Sequence, residues 1–236
     1  MSKVGDNISA ENSRWTFGGK VHENFDGHVS KSVPFYAEGH SLIAKLSDFF
    51  LPADSVAYDL GCSTGTLIRC LAERHKDQAI QFIGCDPEEG MVQTAKQRCA
   101  DFQNVTIRCE SALEMDFEKA NFITSYYTIQ FIHPSVRQAM FNKIYESLNW
   151  GGAFVLFEKV RAPDARFQDI MTQIYSEYKM DQGYSSEEIV AKARSLKGVL
   201  EPFSSKGNID MAGRAGFQDI MTVFKYACFE GFLAIK

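Results

Sequence analysis

Two hydrophobic periods alternate along most of this chain. Apolar runs of strand length lie at residues 55–59, 79–86, 105–109, 122–126 and 153–158. Between them the apolar positions recur at helical spacing. Residues 64–75 follow the first run. Residues 89–102 place Met91, Val92, Ala95 and Cys99 on one face, and 135–148 do the same with Met140, Ile144, Tyr145 and Leu148. Asn149-Trp150-Gly151-Gly152 reads as a helix stop. A helical pattern over 21–51, interrupted at Pro34, precedes the first strand, and the polar residues 1–14 read as flexible. Strands alternating with helices at this spacing predict a parallel, doubly wound sheet. The alternation ends after Glu158. Helical stretches at 162–180 and 185–196 are followed by Gly216-Phe217. Two apolar runs, 218–226 and 228–235, then stand one residue apart and predict an antiparallel strand pair at the sheet edge.

The expectation is one α/β, Rossmann-like domain spanning 1–236. It has seven strands, mostly parallel, with an antiparallel C-terminal hairpin. Residues 160–200 form a helical lid inserted after the fifth strand, over the carboxyl ends where open α/β sheets bind ligands.

A length of 236 residues fits one such domain. No apolar run approaches the ~20 residues of a membrane helix, and residues 1–14 lack the apolar core of a signal peptide. The expected compartment is the cytoplasm, with no membrane partner. A net charge of −5 argues against an extended nucleic-acid surface and leaves a small molecule as the expected partner. The six cysteines contain no CxxC pair, so no metal site is expected and most read as buried apolar residues.

Asp59-Leu60-Gly61-Cys62-Ser63-Thr64-Gly65 carries the most chemistry. Glycines between a strand and a helix let the backbone turn tightly and approach a ligand closely. The G-x-x-x-G spacing after an acidic residue differs from the G-x-G-x-x-G that seats a pyrophosphate. It favours S-adenosylmethionine (SAM), with Asp59 orienting the loop and meeting the ligand's ammonium. Asp86 ends the second strand, where a carboxylate can accept hydrogen bonds from both ribose hydroxyls. The plainer reading makes both aspartates loop caps.

Five parallel strands with a C-terminal hairpin is the arrangement of class I methyltransferases. Several stretches narrow the resemblance: Trp15-Thr16-Phe17, Ser32-Val33-Pro34-Phe35-Tyr36, Tyr58 to Ser63, Gln130-Phe131, Arg137-Gln138-Ala139, Lys143-Ile144-Tyr145, Glu158-Lys159, Gly183-Tyr184-Ser185 and Ala215-Gly216-Phe217. Together they resemble the carboxy-S-adenosylmethionine synthase family, over nearly the whole chain. That family uses SAM and prephenate to make carboxymethyl-SAM, the donor for a tRNA wobble modification. The resemblance implies SAM contacts from Tyr36, Gly61, Cys62, Ser63, Asp86 and Pro87. It places Ser111 and Ala112 by the adenine and implies a homodimer with the inserted helices near its interface.

Two departures alter the expected chemistry. The family holds its product's extra carboxylate with an arginine in the helix after Gly183-Tyr184-Ser185. Here that position is Ala193, and the neighbouring Arg194 is turned ~100° away on a helix. A family asparagine near the end of the fourth strand is Tyr126, followed by Tyr127. Tyr175 and Tyr178 lie in the inserted helix expected over the same pocket, or else pack helices at i, i+3. Electron-rich rings attract a sulfonium as they do other cations. The specific expectation is therefore intramolecular: the amine of the methionyl part attacks its own γ-carbon, expelling methylthioadenosine and forming azetidine-2-carboxylate, with Tyr126 and Tyr175 as catalytic residues. Methyl transfer to a small acceptor, carboxymethyl-SAM synthesis and a non-catalytic SAM-binding role are the alternatives. Glu158-Lys159 either lines the pocket or forms a structural ion pair. His22, His28 and His133 are assigned no role.

Overall fold

The computed structural model describes residues 2–6 and 8–236. Strand β1 (Ser2–Lys3) pairs antiparallel with β2 (Ser9–Ala10). Helices α1 (Val21–Ser32) and α2 (Tyr36–Ser47) follow, parted at Pro34 as the sequence predicts. Then come β3 (Val56–Leu60), α3 (Thr66–Arg74), β4 (Gln81–Asp86), α4 (Glu89–Arg98), β5 (Val105–Cys109) and β6 (Ala120–Tyr126). A 3-10 turn (Ile129–Phe131) leads to α5 (Pro134–Ser147) and β7 (Leu148–Lys159). Helices α6 (Ala165–Asp181), α7 (Ser186–Ser195) and α8 (Ser205–Ala215) precede the hairpin β8 (Asp219–Tyr226) and β9 (Phe229–Ile235).

The main sheet runs β5-β4-β3-β6-β7-β9-β8. Strands β3 to β7 are parallel, and β9 pairs antiparallel with both β7 and β8. From β3 the chain first builds outward through β4 and β5, then returns to β6 on the other side. The strand order therefore reverses between β3 and β6, and a crevice opens at their carboxyl ends. The strands are apolar on both faces, as helix-covered parallel strands must be. Along β7, Ala153, Val155 and Phe157 face the core shared with α2, α3 and α4. Phe154 and Leu156 face the core shared with α5 and α8. No helix of the described residues is long and apolar enough to cross a membrane.

Three expectations change. The segment 1–14 is not loose: among its described residues, Val4 and Ile8 are buried with Trp15 against Ala191, Leu196 and Val199 around α7. Met1 and Asn7 lie outside the described residues. Residues 205–215 form a helix the pattern did not predict, because Gly207 and Gly213 dilute its propensity. The Ser204 cap and burial of Met211 and Ala212 outweigh that. Finally, the helix does stop at Ser147, but 149–152 belong to a fifth parallel strand longer than expected. Gly151 there donates to the Lys236 carbonyl at 2.7 Å.

Arg137 ties α5 to the segments that close the crevice. It is 2 % exposed, and its guanidinium donates to the carbonyls of Ile132 (2.8 Å), Glu201 (2.6 Å) and Gln130 (2.8 Å) while lying 4.6 Å over the Phe203 ring. Arg137→Met keeps the bulk and removes three hydrogen bonds to carbonyls, of which Gln130 retains only the Glu201 amide at 3.2 Å. Denaturant titration should show a loss of about 3 kcal/mol or more; a change under about 1 kcal/mol would show that the carbonyls find other partners.

Candidate active site

The turn from β3 into α3 builds the floor of the crevice. The amides of Gly61 and Cys62 both donate to the Cys85 carbonyl, at 2.8 and 2.9 Å, so the loop folds onto the end of β4. Gly61 has φ +70°, and a Cβ there would stand 2.3 Å from the Thr128 side chain. Gly65 has φ +79°, and a Cβ would stand 2.9 Å from Ala95 on α4. Both glycines are therefore required by handedness and by space. Ser63 is also left-handed at φ +49°, and its amide donates to Asp86 Oδ2 at 3.0 Å.

Both aspartates are buried at strand ends. Asp59 accepts from Thr124 Oγ1 at 3.0 Å. Burial pushes its carboxyl up to about 7, against that hydrogen bond, and the neighbouring Asp86 adds to the rise. Asp86 Oδ1 accepts from the Glu88 amide at 3.0 Å. Burial raises its pKa too, against the two loop amides. The loop-cap role of Asp86 thus coexists with a place on the cavity wall, because a carboxylate has about four acceptor positions and two are used.

The cavity above this floor measures about 590 Å³, within the range of small-molecule sites. Asp59, Gly61, Cys62, Ser63, Asp86, Pro87, Ser111 and Ala112 all line it. Gly65 is not on the wall; it shapes the turn from behind. Tyr36, Tyr126, Tyr127 and Tyr175 supply an aromatic side. Ring centroids lie 5.0 Å apart for Tyr36–Tyr126 and 4.7 Å apart for Tyr126–Tyr127, with His40 4.6 Å from both Tyr36 and Tyr126. Tyr178 stacks 6.4 Å from Tyr175 and stays off the wall.

The hydroxyls divide differently from the expectation. Tyr126 donates to the Tyr36 carbonyl (2.7 Å) and Tyr175 to the Ser32 carbonyl (2.8 Å). The Tyr127 hydroxyl is buried and has no partner among the described residues. Its backbone sits at φ +60°, held by an amide bond to the Phe157 carbonyl at 2.8 Å. A strained, buried residue with an unsatisfied polar atom is a mark of a ligand site. The sequence offered only the Tyr-Tyr pair, with no sign of which hydroxyl would stay free.

Three lysines also face the cavity: Lys159, Lys179 and Lys192. The ammonium groups of Lys159 and Lys179 lie 4.2 and 4.4 Å from the Tyr175 ring centroid. Burial and then the Lys159 charge push Lys179 down to about 8. Ala193 is on the wall and Arg194 is not, so no arginine stands where the resemblance implies one. Glu158 is off the wall, and burial raises it to about 8 against the pull of Arg137.

A methyltransferase-domain family profile matches residues 57–152. Among solved structures, human N-acetylserotonin methyltransferase bound to SAM aligns at a TM-score of 0.63 with 15% identity, over 92% of this chain and 55% of that one. An O-methyltransferase-like protein from Nostoc punctiforme aligns at 0.66 with 16% identity, over 92% and 60%. Glycine loop, paired acidic strand ends and seven-stranded sheet define a SAM-using enzyme of the methyltransferase superfamily. Curated relatives named carboxy-S-adenosyl-L-methionine synthase are 39% identical in Staphylococcus epidermidis (94% of this chain, 97% of the relative) and 38% identical in Campylobacter lari (94% and 95%). The chain belongs to the carboxy-S-adenosyl-L-methionine synthase family.

Below about pH 7 Asp59 carries a proton and offers a cationic ligand no charge; above it the carboxylate attracts one. SAM affinity measured by calorimetry should therefore rise as pH increases through about 7. Asp59→Asn should weaken binding and flatten that rise, and an unchanged pH profile in the variant would remove Asp59 from ligand recognition.

Proposed function

We propose that this chain cyclises SAM to azetidine-2-carboxylate and releases methylthioadenosine, with no second substrate. The observation that carries this reading is Ala193 on the cavity wall, where the resemblance implies a carboxylate-holding arginine. A site without that arginine loses a charge-assisted hydrogen bond of roughly 1.5–3 kcal/mol to an extra carboxylate. The adjacent wall of Tyr36, Tyr126, Tyr127 and Tyr175 suits a sulfonium. It also favours folding the aminocarboxypropyl chain back on itself, which brings the amine near its own γ-carbon.

In this reading the loop 61–65 turns the backbone toward the ligand. Ser63, Asp86 and Pro87 meet the ribose side, and Ser111 and Ala112 the adenine. Asp59 attracts the methionyl ammonium. The substrate ammonium first gives a proton to solvent. Its lone pair then forms the N–Cγ bond while the Cγ–S bond breaks, its electron pair going to sulfur. Tyr126 and Tyr175 act through their ring faces, since both hydroxyls already donate to backbone carbonyls. Tyr127 adds its ring to the same wall, with a buried hydroxyl that has no partner among the described residues.

A second reading is carboxymethyl-SAM synthesis, with the prephenate that the resemblance implies. It is favoured by relatives 35–39% identical over almost the full chain and by the three wall lysines, which could receive a dicarboxylate. The homodimer implied by the resemblance is supported by the outward row Phe167, Ile170 and Ile174 on α6, exposed at i, i+3, i+7. Sedimentation velocity checks it.

The purified protein should convert SAM alone into methylthioadenosine and a four-membered-ring amino acid, followed by mass spectrometry. SAM left intact until prephenate is added would replace this reading with the second. Tyr127→Phe removes only the unpartnered hydroxyl. It should leave stability unchanged or raise it by about 1 kcal/mol, while lowering turnover at least tenfold. Unchanged turnover would make the hydroxyl irrelevant to the reaction.

A further inference from the structure

The cavity is roofed by two pieces of chain that hold each other. Helix α1 contributes Phe25, His28 and Val29; α6 and α7 contribute Met171, Tyr175 and Ile189. The Ser13 and Trp15 amides donate to the Arg194 and Ser195 carbonyls at 3.0 and 3.1 Å. The Tyr175 hydroxyl donates to the Ser32 carbonyl at 2.8 Å. Tyr184 donates to Asp6 Oδ2 at 2.5 Å, and Lys31 to Asp6 Oδ1 at 2.6 Å. Burial would raise Asp6, but these bonds hold it down at about 2, so it only accepts. His28 Nδ1, 2.9 Å from Oδ2, therefore carries the hydrogen between them.

One side chain of α1 reaches the floor of the site instead. Asp26 Oδ1 accepts from Thr64 Oγ1 and Oδ2 from Arg98 Nη2, both at 2.6 Å. Arg98 Nη1 donates to the same Thr64 oxygen at 2.9 Å. Thr64 is on the cavity wall, 1 % exposed, and stands between two left-handed residues of the loop, Ser63 and Gly65. The carboxylate also lies at the N-terminus of α3, 3.5 Å from Thr66 Oγ1, where the helix dipole favours negative charge. One turn earlier α1 presses on α4: a Cβ on Gly90 would stand 2.5 Å from His22 Nδ1. The other ion pairs of α1 stay on the roof side, His28 and Lys31 with Asp6 and Glu23 with Lys20. Roof, glycine loop and α4 thus meet through one half-exposed carboxylate. The chain leaves α1 through Pro34 and Phe35. Phe35 is a non-glycine residue at φ +56° and is 49 % exposed. A left-handed residue between two helices is a position that can absorb a hinge rotation.

We propose that the roof is a lid over the SAM site, with Phe35 one of its hinges, and that Asp26 is its latch, a positioning residue that fastens the lid to the glycine loop itself. A ligand seated on the loop and a closed lid then favour one another, because both require Thr64 where Asp26 holds it. Closure excludes water from the reacting atoms. The assignment rests on SAM use and holds whichever reaction follows.

The test needs no turnover. Trp15 lines the cavity, so its fluorescence in stopped flow can follow S-adenosylhomocysteine entering and leaving. Asp26→Asn keeps the shape and removes the charge. It should raise the association and dissociation rate constants together, each at least threefold. A site that is merely distorted loses affinity through dissociation alone, so an unchanged or slower association would overturn the proposal. Salt supplies an independent arm. S-adenosylhomocysteine has no net charge at neutral pH, so its association is not steered. Between about 0.01 and 1 M salt the screening length falls from about 30 to about 3 Å. Association with the parent should accelerate over that range and association with Asp26→Asn should not; equal salt dependence in both would also overturn the latch. Asp101→Asn breaks a comparable pair, Asp101 with Arg69, neither of which lines the cavity. It should leave both rate constants at parental values. The same acceleration there would mean general loosening around α4 rather than a latch.

Discussion

The site depends on one constraint: the chain must leave β3 and turn into α3 against the end of β4. Two consecutive amides, Gly61 and Cys62, share the Cys85 carbonyl, and the next residue's amide takes Asp86. Three left-handed residues in five make that geometry possible, and two are glycines with no room for a Cβ. Fixing the loop on β4 also fixes where Asp59 and Asp86 stand relative to each other. Their proximity raises Asp59 beyond what burial does.

The opposite wall has the reverse imbalance. Lys159, Lys179 and Lys192 face the same cavity, all pushed below the ordinary lysine range by burial. A zwitterionic ligand suits such a space, its cationic parts toward the aspartates and its carboxylate toward the lysines. The rings between the two walls serve both sides. Tyr175 is already flanked by two ammonium groups, and Tyr36 feels the charge of Asp59.

Much of the frame was legible because a doubly wound sheet writes itself into the chain twice, in alternating periods and in the glycine turn after its first long strand. The site residues on strand ends and the loop followed directly, since Asp59, Asp86 and Ser111 sit where a strand must stop. Helix α8 was not legible. Its stability comes from burying Met211 and Ala212 under the sheet, and its glycines speak against a helix locally. Nor was the closure of the cavity by the N-terminal segment legible. Residues that look polar and loose hold Val4 and Ile8 in a small core with Trp15, and that core brings Asp6 to His28.

The sequence by itself determined the fold class, the glycine loop, the acidic strand ends and the absence of an arginine at position 193. These depend on period, spacing and identity, which are local. Only the tertiary structure decided which polar atoms are spent and which are free. Tyr126 and Tyr175 use their hydroxyls on backbone carbonyls, and Tyr127 does not. His28, indistinguishable in sequence from His22 or His133, presents a bare nitrogen because a carboxylate 22 residues away holds its other one. A hydrogen bond is satisfied in three dimensions, between groups whose separation along the chain carries no information about their distance in space.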